Sequence, residues 1–431
     1  MSEGAIAWML VATALVLLMT PALGFFYGGL VRSKNVLNTL MMSFGAVSVV
    51  GLAWALLGYS LAFSAGWPLV GGLSHALLRG VNLEASGEIP HVLFMAFQGT
   101  FAVITAALIS GALVERMRYG PYLAFLGLWA IAIYAPIAHW VWGGGWLADL
   151  GALDFAGGTV VHINAGIAAV VAALVLGRRR DYGRQAILPH NIPFVLLGAM
   201  LLWLGWFGFN AGSALGANEI AGLAFANTML APMATALVWM ILDLVRSGKA
   251  TAVGLATAIV VGLVAITPAA GFVSPLSAIV LGALAAFPSY FALLWRARTR
   301  LDDSLDVFAA HGVGGLTGAL LTGVFAQESW NGVANGLLFG NPLQLLIQAV
   351  AVLAVVAYSA AGTFLILRAI ALVTSLRVAD AAERAGLDVT EHGEQAYTSG
   401  EGAVLLLPLS RTGEVTARPG GPVVEKAGGG A

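Results

Sequence analysis

Two histidines, His162 and His311, each stand within a run of small and aliphatic residues, and each follows an aspartate, Asp154 and Asp306 respectively. The two stretches read GALDFAGGTVVHINAG and LDVFAAHGVGGLTG. An imidazole titrates near neutral pH and has one donor and one acceptor nitrogen, so it can relay a proton or hold a small polar guest. Buried in a lipid-embedded bundle such a group is costly, and it marks a pathway by default. A metal centre is the poorer reading. Neither histidine has a partner at HExxH spacing, and a chain with no cysteine offers no thiolate. Asp154 admits two roles: it could bind a cation, or it could sit at the head of its helix and accept from the free N–H groups there. The periodic run TVVHINAG just beyond it favours the second.

A second set of residues is aromatic. Phe97 and Phe101 in FQGTF are four apart and share a helix face, as do Trp206, Phe209 and Ser213 in WFGFNAGS. With Trp142 they could converge at one mouth of a bundle. An aromatic face attracts a small cation by about 0.5–2 kcal/mol, more when desolvated, and Ser213 could accept a hydrogen bond. The same residues, with WVWGGGW from Trp140 to Trp146, would also serve as an interfacial aromatic belt.

The elements that must position these groups are membrane spans. The chain of 431 residues is 59% hydrophobic and 10% charged, where a soluble protein carries about 25% charge. Its net charge of −1 gives no sign of a nucleic-acid partner. A span needs about 20 apolar residues to cross roughly 30 Å of hydrocarbon. Eleven such runs are predicted, at 5–30, 37–65, 91–114, 121–142, 155–177, 190–213, 221–245, 252–269, 273–295, 305–326 and 343–367. The first lacks a basic leader and reads as a span, not as a signal peptide. Arg32 and Lys34, Arg116 and Arg118, Arg178–Arg180 with Arg184, Arg246 and Lys249, and Arg296 to Arg300 fall in every second loop. Basic loops stay cytosolic, so the amino terminus is predicted outside and the carboxyl terminus in the cytosol.

His162 falls in the fifth span and His311 in the tenth. An odd number of spans per half reverses the second half's direction, the arithmetic of an inverted-topology repeat of five helices with an eleventh added. Residues 1–372 form the predicted transmembrane domain and 373–431 a cytosolic tail, with 400–431 lacking a fixed fold. Asp302 and Asp303 are assigned to a solvated loop, and His75, His91, His139, His190 and His392 to solvated edges. Run lengths alone put His162 towards the outer side and His311 towards the inner. They can meet only if the segments around Asp154 and Asp306 are buried, non-helical lead-ins covered by protein.

At FFYGGLVRSKNVLN, FQGTFAVIT, VWGGGWL, DFAGGTVVHINAG, WFGFNAGSA, ITPAAG and DVFAAHGVGG the sequence resembles the ammonium transporter (Amt/Mep/Rh) family, in its Amt branch, over nearly the whole chain to about Ser399. The resemblance implies a homotrimer of eleven-span subunits in the cell membrane, each with its own pore, and no cofactor. It implies that Phe101, Trp142 and Ser213 recruit ammonium with Phe97 beside them. It further implies that Phe101 and Phe209 form a gate, that His162 and His311 are twin pore histidines below Trp206, and that Asp154 supports the site. GLDVTEHGEQAY resembles a regulatory tail, often served by a PII-type protein. Carrying an intact cation into a dry pore costs tens of kcal/mol by idealised estimates, whereas ammonium can shed a proton and cross as ammonia. The rival readings are an ammonium sensor, an intramembrane acid–base enzyme, and an Rh-like neutral gas channel. The enzyme lacks a serine, paired-carboxylate or metal constellation near the histidines, and Trp142 with Ser213 favours cation recruitment over gas conduction.

Overall fold

The computed structural model describes residues 1–397, and its long elements are all helices. They are α1 (Glu3–Leu30), α2 (Ser33–Phe63), α3 (His91–Ala112), α4 (Tyr119–Leu150), α5 (Gly158–Leu176), α6 (Ile192–Gly212), α7 (Glu219–Ser247), α8 (Ala252–Ile266), α9 (Pro275–Arg296), α10 (Phe308–Phe325) and α11 (Leu343–Val373). Ten of them, among the described residues, are long and apolar enough to cross a membrane; α8 is apolar but only 15 residues long. Each lies at an expected span. Helix α8 stops short of residue 269, where Pro268 has no N–H with which to continue the ladder. Two small hairpins, Gly66–Trp67 with Val70–Gly71 and Ala85–Ser86 with Ile89–Pro90, join α2 to α3. They define an upper face of the bundle. The residues after α11 define the lower one.

Small residues let the helices approach closely. The most extensive pairing is α1 with α6; there a Cβ on Gly198 would lie 2.4 Å from the backbone nitrogen of Phe26. Without a hydrophobic drive between helices in lipid, such close backbone contact is what holds a bundle together.

The lower face is tied by a buried charge network. Glu115 pairs with Arg32 and Arg179, each at 3.0 Å, and Arg179 reaches Asp302 at 2.8 Å. Arg116, fully buried, lies 3.6 Å from the same aspartate. The expectation that Asp302 and Asp303 are solvated is therefore overturned: both are buried, the first by its arginines and the second at the start of α10. His139 is likewise no solvated edge residue. It is buried, its Nδ1 and Nε2 within 2.8 and 2.9 Å of the carbonyls of Ala62 and Trp67. The other four histidines assigned to edges are half-buried.

Two short helices, α12 (Asp380–Ala385) and α13 (Leu387–His392), fold the tail back onto α2. Asp388 Oδ1 accepts from Asn38 N at 2.8 Å, and Leu387 N donates to Asn35 Oδ1 at 2.8 Å. The N-terminus of α2 is thus capped by a carboxylate some 350 positions away. The segment 400–431, expected to lack a fixed fold, lies outside the described residues.

Candidate functional site

Both histidines sit in π-helical turns, Gly158–Ile163 heading α5 and Phe308–Val313 heading α10. Such turns interrupt the regular ladder and recur at functional sites. In α5 the cause is legible. Asp154 Oδ1 accepts from Gly157 N at 2.9 Å and Gly158 N at 2.5 Å, and Oδ2 from Thr159 N at 2.8 Å, Val160 N at 3.2 Å and the Thr159 hydroxyl. Both carboxylate oxygens accept from the helix start, the geometry of a cap. The backbone carbonyl of the same residue accepts from Trp142 Nε1 at 2.9 Å. Asp154 therefore sets both the entry of α5 and the angle of the indole.

In α10 the corresponding carboxylate belongs to Asp303. Its Oδ2 accepts from Phe308 N at 2.7 Å, and it precedes His311 by the interval that separates Asp154 from His162 (311 − 303 = 162 − 154 = 8). Asp306, matched to Asp154 on sequence, instead pairs with Arg296 at 2.7 Å. The lead-ins at Asp154 and Asp303 are non-helical and covered by protein, so both histidines reach the middle of the bundle. His162 Nδ1 and His311 Nδ1 are 3.2 Å apart, with ring centroids at 5.3 Å. Where the two helices cross, a Cβ on Gly166 would lie 2.3 Å from Gly312 N, so only glycine permits the approach.

Above the histidines the aromatic residues form a stack. Trp206 lies 5.4 Å and Phe209 6.0 Å from the His162 ring, both nearly parallel to it. Trp206 Nε1 donates to Thr267 Oγ1 at 2.9 Å. Phe209 faces Phe101 at 4.2 Å, closing the way up. On the far side of that pair opens an upper cavity of about 300 Å³ lined by Phe101, Trp142, Ser213, Gln98, Phe155 and other uncharged residues. Phe101 and Trp142 meet edge to face at 6.0 Å. Ser213 Oγ donates to Phe209 O at 2.9 Å, which leaves its lone pairs for a guest. Phe97 does not line the cavity. It is buried behind Phe101, 4.9 Å away, so the structure assigns it to the wall's backing.

Below the phenyl pair the space narrows to about 10 Å³, room for one small molecule. Its walls are Leu23, Ile104, Leu108, Val260 and similar residues, together with the two imidazoles. His162 Nε2 is buried there with no hydrogen-bond partner among the described residues. His311 lines both this chamber and a lower cavity of about 660 Å³ that opens past Arg296 and Arg298. The arrangement is a neutral aromatic antechamber, a closed double door, a narrow apolar neck with two linked imidazoles, and a wide basic exit. Sequence reasoning missed Gln98, Thr267 and Asp303. The repeated eight-residue interval would have found the last.

Comparison with known proteins adds an independent line. The model of the Ammonium Transporter Family matches residues 7–397. An ammonium transporter of Aquifex aeolicus (strain VF5) is 51% identical over 402 residues, covering 92% of this chain and 94% of that one. Ammonium transporter Amt1 of Archaeoglobus fulgidus is 45% identical over 399 residues, 92% of this chain and 100% of its own. Among solved structures, Candida albicans Mep2 superposes with a TM-score of 0.81 at 37% identity, covering 86% of this chain and 84% of that one. A structure described as a sensor Amt protein superposes at 0.84 with 31% identity, covering 90% and 98%.

Proposed function

The chain belongs to the Ammonium Transporter Family, and from that premise we propose how this multi-pass protein of the cell membrane moves ammonium. The family is one of transporters, not of enzymes. Ammonium enters the upper cavity, where the faces of Phe101 and Trp142 attract the cation and Ser213 Oγ accepts one of its N–H groups. It cannot pass the Phe101–Phe209 pair intact, because the narrow neck beneath is lined by apolar side chains and two imidazoles and offers no charge to replace its hydration shell. It gives up a proton and passes as ammonia. The neck then offers it His162 Nε2, and the linked His162–His311 pair relays the released proton towards the lower cavity. A potassium ion has no proton to give and is refused.

The observation that carries this reading is the 3.2 Å contact between two buried imidazoles in an otherwise apolar neck. On this reading the hairpin face is outside, the tail face is cytosolic, eleven helices span, and α1–α5 and α6–α10 form an inverted repeat; the basic loops and the paired Asp–His interval support it. A homotrimer, and a PII-type protein docking on the tail face, belong to the same proposal on family resemblance.

The test is a current measurement on a solid-supported membrane, with purified protein in liposomes under an inward ammonium pulse. A saturable positive charge movement that disappears in His162→Ala supports the relay. Internal alkalinisation with no current would mean neutral ammonia conduction, the Rh-like alternative. The likeness to a sensor Amt protein favours a second reading, sensing through the tail. Capture of a PII-type protein that depends on external ammonium, in a variant with no transport, would support it.

A further inference from the structure

The lower face holds a second cavity, beside the exit and sharing Arg178, Arg179 and Tyr182 with it, of about 610 Å³ at the base of the tail. Its lining contains Arg178, Arg179, Arg180, Arg184 and Arg377, against one carboxylate, Asp380. Arg179 and Arg377 are already neutralised, by Asp302 at 2.8 Å and by Glu383 at 2.6 Å. The guanidiniums of Arg178, Arg180 and Arg184 form no ion pair or hydrogen bond among the described residues. Basic residues favour the cytosolic side of any membrane protein, and on this face Arg32, Arg116 and Arg296 have acidic partners while Arg118, Arg246 and Arg298 form no ion pair among the described residues. What sets the cleft apart is that three uncompensated guanidiniums line one concave space. Three free guanidiniums and one exposed carboxylate leave a net charge of +2 facing a concave space.

The backbone carrying these groups is held in place. Arg180 N donates to Glu383 Oε1 at 2.6 Å, and Arg377 Nη1 donates to the carbonyl of Arg178 at 2.7 Å. The Tyr182 hydroxyl is within 3.2 and 3.0 Å of the carbonyls of Thr299 and Leu301. The loop 178–184 is thus pinned by the tail on one side and by the segment after α9 on the other, so the guanidiniums converge without a large ordering cost.

We propose that this cleft binds a phosphate group. A phosphate monoester carries about −1.5 to −2 charges at neutral pH, which matches the uncompensated charge, and guanidinium forks bind phosphate oxygens in pairs. The group could arrive on a soluble phosphate ester or on an anionic lipid. Leu372 and Val373, each 88% exposed at the end of α11, place a lipid-facing edge just before Arg377. Because the cleft joins loop 178–184 to the start of the tail, an occupant holds the two together. Because Arg178 also lines the exit cavity, occupancy is felt at the pore's lower mouth.

The experiment uses the full chain. Inorganic pyrophosphate is titrated into delipidated protein in detergent by calorimetry, and retention of phosphatidylglycerol against phosphatidylcholine is read by native mass spectrometry. Both are repeated in Arg180→Glu/Arg184→Glu, whose side chains have no partners to lose, and in a control reversal at another basic loop, Arg246→Glu/Lys249→Glu. The proposal expects binding of at least one probe, about tenfold weaker in the first variant and unchanged in the control. Pyrophosphate alone identifies a soluble ester, the lipid alone a headgroup, and both the shared phosphate. Equal weakening in the two variants, or no binding of either probe above the zwitterionic lipid, overturns it.

Discussion

At the scale of single residues, the proposed route asks different things of neighbours only a few ångströms apart. Ser213 contributes one acceptor to a guest whose main attraction is aromatic, and a net hydrogen bond to a charged group is worth about 1.5–3 kcal/mol. Ser213→Ala should therefore raise the half-saturating ammonium concentration by roughly three- to tenfold while leaving the maximal current close to wild type, since solvent entering the cavity replaces part of the lost hydrogen bond. An unchanged concentration dependence would remove Ser213 from the recruitment site. Phe97 makes the contrast. It lies behind Phe101 and does not line the upper cavity, so Phe97→Leu should alter packing and thermal stability more than apparent affinity. The residue types at these positions were readable in the sequence because cation recruitment needs π faces and a hydroxyl. Which of two phenylalanines on one helix stripe faces the cavity was not, because helical periodicity groups residues by face and does not say what lies opposite.

At the scale of elements, the long helices were legible to within about four residues except at the ends of α4 and α11, which run on to Leu150 and Val373, since bilayer thickness imposes a run length that few other constraints mimic. What lay between them was not. Asp302 and Asp303 read as solvated from their charge, yet Glu115 and Asp302 are buried because each meets arginines brought from distant parts of the chain, and Asp303 is buried as it accepts from the start of the helix that follows it. Burial drives Glu115 up, but Arg179 and Arg32 outweigh it and hold the carboxyl below its ordinary value of 4.5. A depressed carboxylate stabilises the fold above its unfolded value and loses that contribution as pH falls through the folded one. The network should thus be complete near neutrality and fail only in acid. Glu115→Gln removes the carboxylate that Arg32 and Arg179 share and leaves them Asp181 at 2.7 Å and Asp302 at 2.8 Å, so it costs about 1–3 kcal/mol and should lower the unfolding temperature measurably. The tail responds in a different pH range. His392 Nε2 lies 2.9 Å from Asn38 Oδ1 with its ring edge-on to Tyr119. Desolvation lowers its affinity for a proton below the ordinary 6.5, against the pull of Glu391 and Glu394. The docked tail therefore prefers neutral imidazole: docking is complete above about pH 6.5 and weakens as pH falls below it. Proteolysis of the tail should accelerate between pH 7.5 and 5.5 in the wild type. In His392→Gln, which keeps an amide donor for Asn38, the same rate should be flat.

At the scale of the molecule, the feature that organises everything is a pair of carboxylates, one near each face, each eight residues ahead of its histidine. Each accepts from the N–H groups that open its broken helix, and each lets that helix begin deep in the bundle instead of at a membrane surface. Without both, the run lengths would leave the imidazoles towards opposite faces; with both, they touch. The equivalence has a limit that makes it testable. Asp154 also carries Trp142 on its carbonyl and so stands beside the recruitment cavity, whereas Asp303 lies at the opposite face, remote from it. Removing either cap costs about 1–2 kcal/mol at its helix start and shifts one imidazole relative to the other, so Asp154→Ala and Asp303→Ala should both cut the maximal ammonium current by more than tenfold. Only Asp154→Ala should also move the half-saturating concentration, because only there does the lost cap release a wall of the upper cavity. Paired concentration series for the two variants, each checked for intact assembly by size-exclusion chromatography, decide the matter. A shift in both, or a full current in Asp303→Ala, would show that the two halves do not share one device for delivering their histidines to the centre.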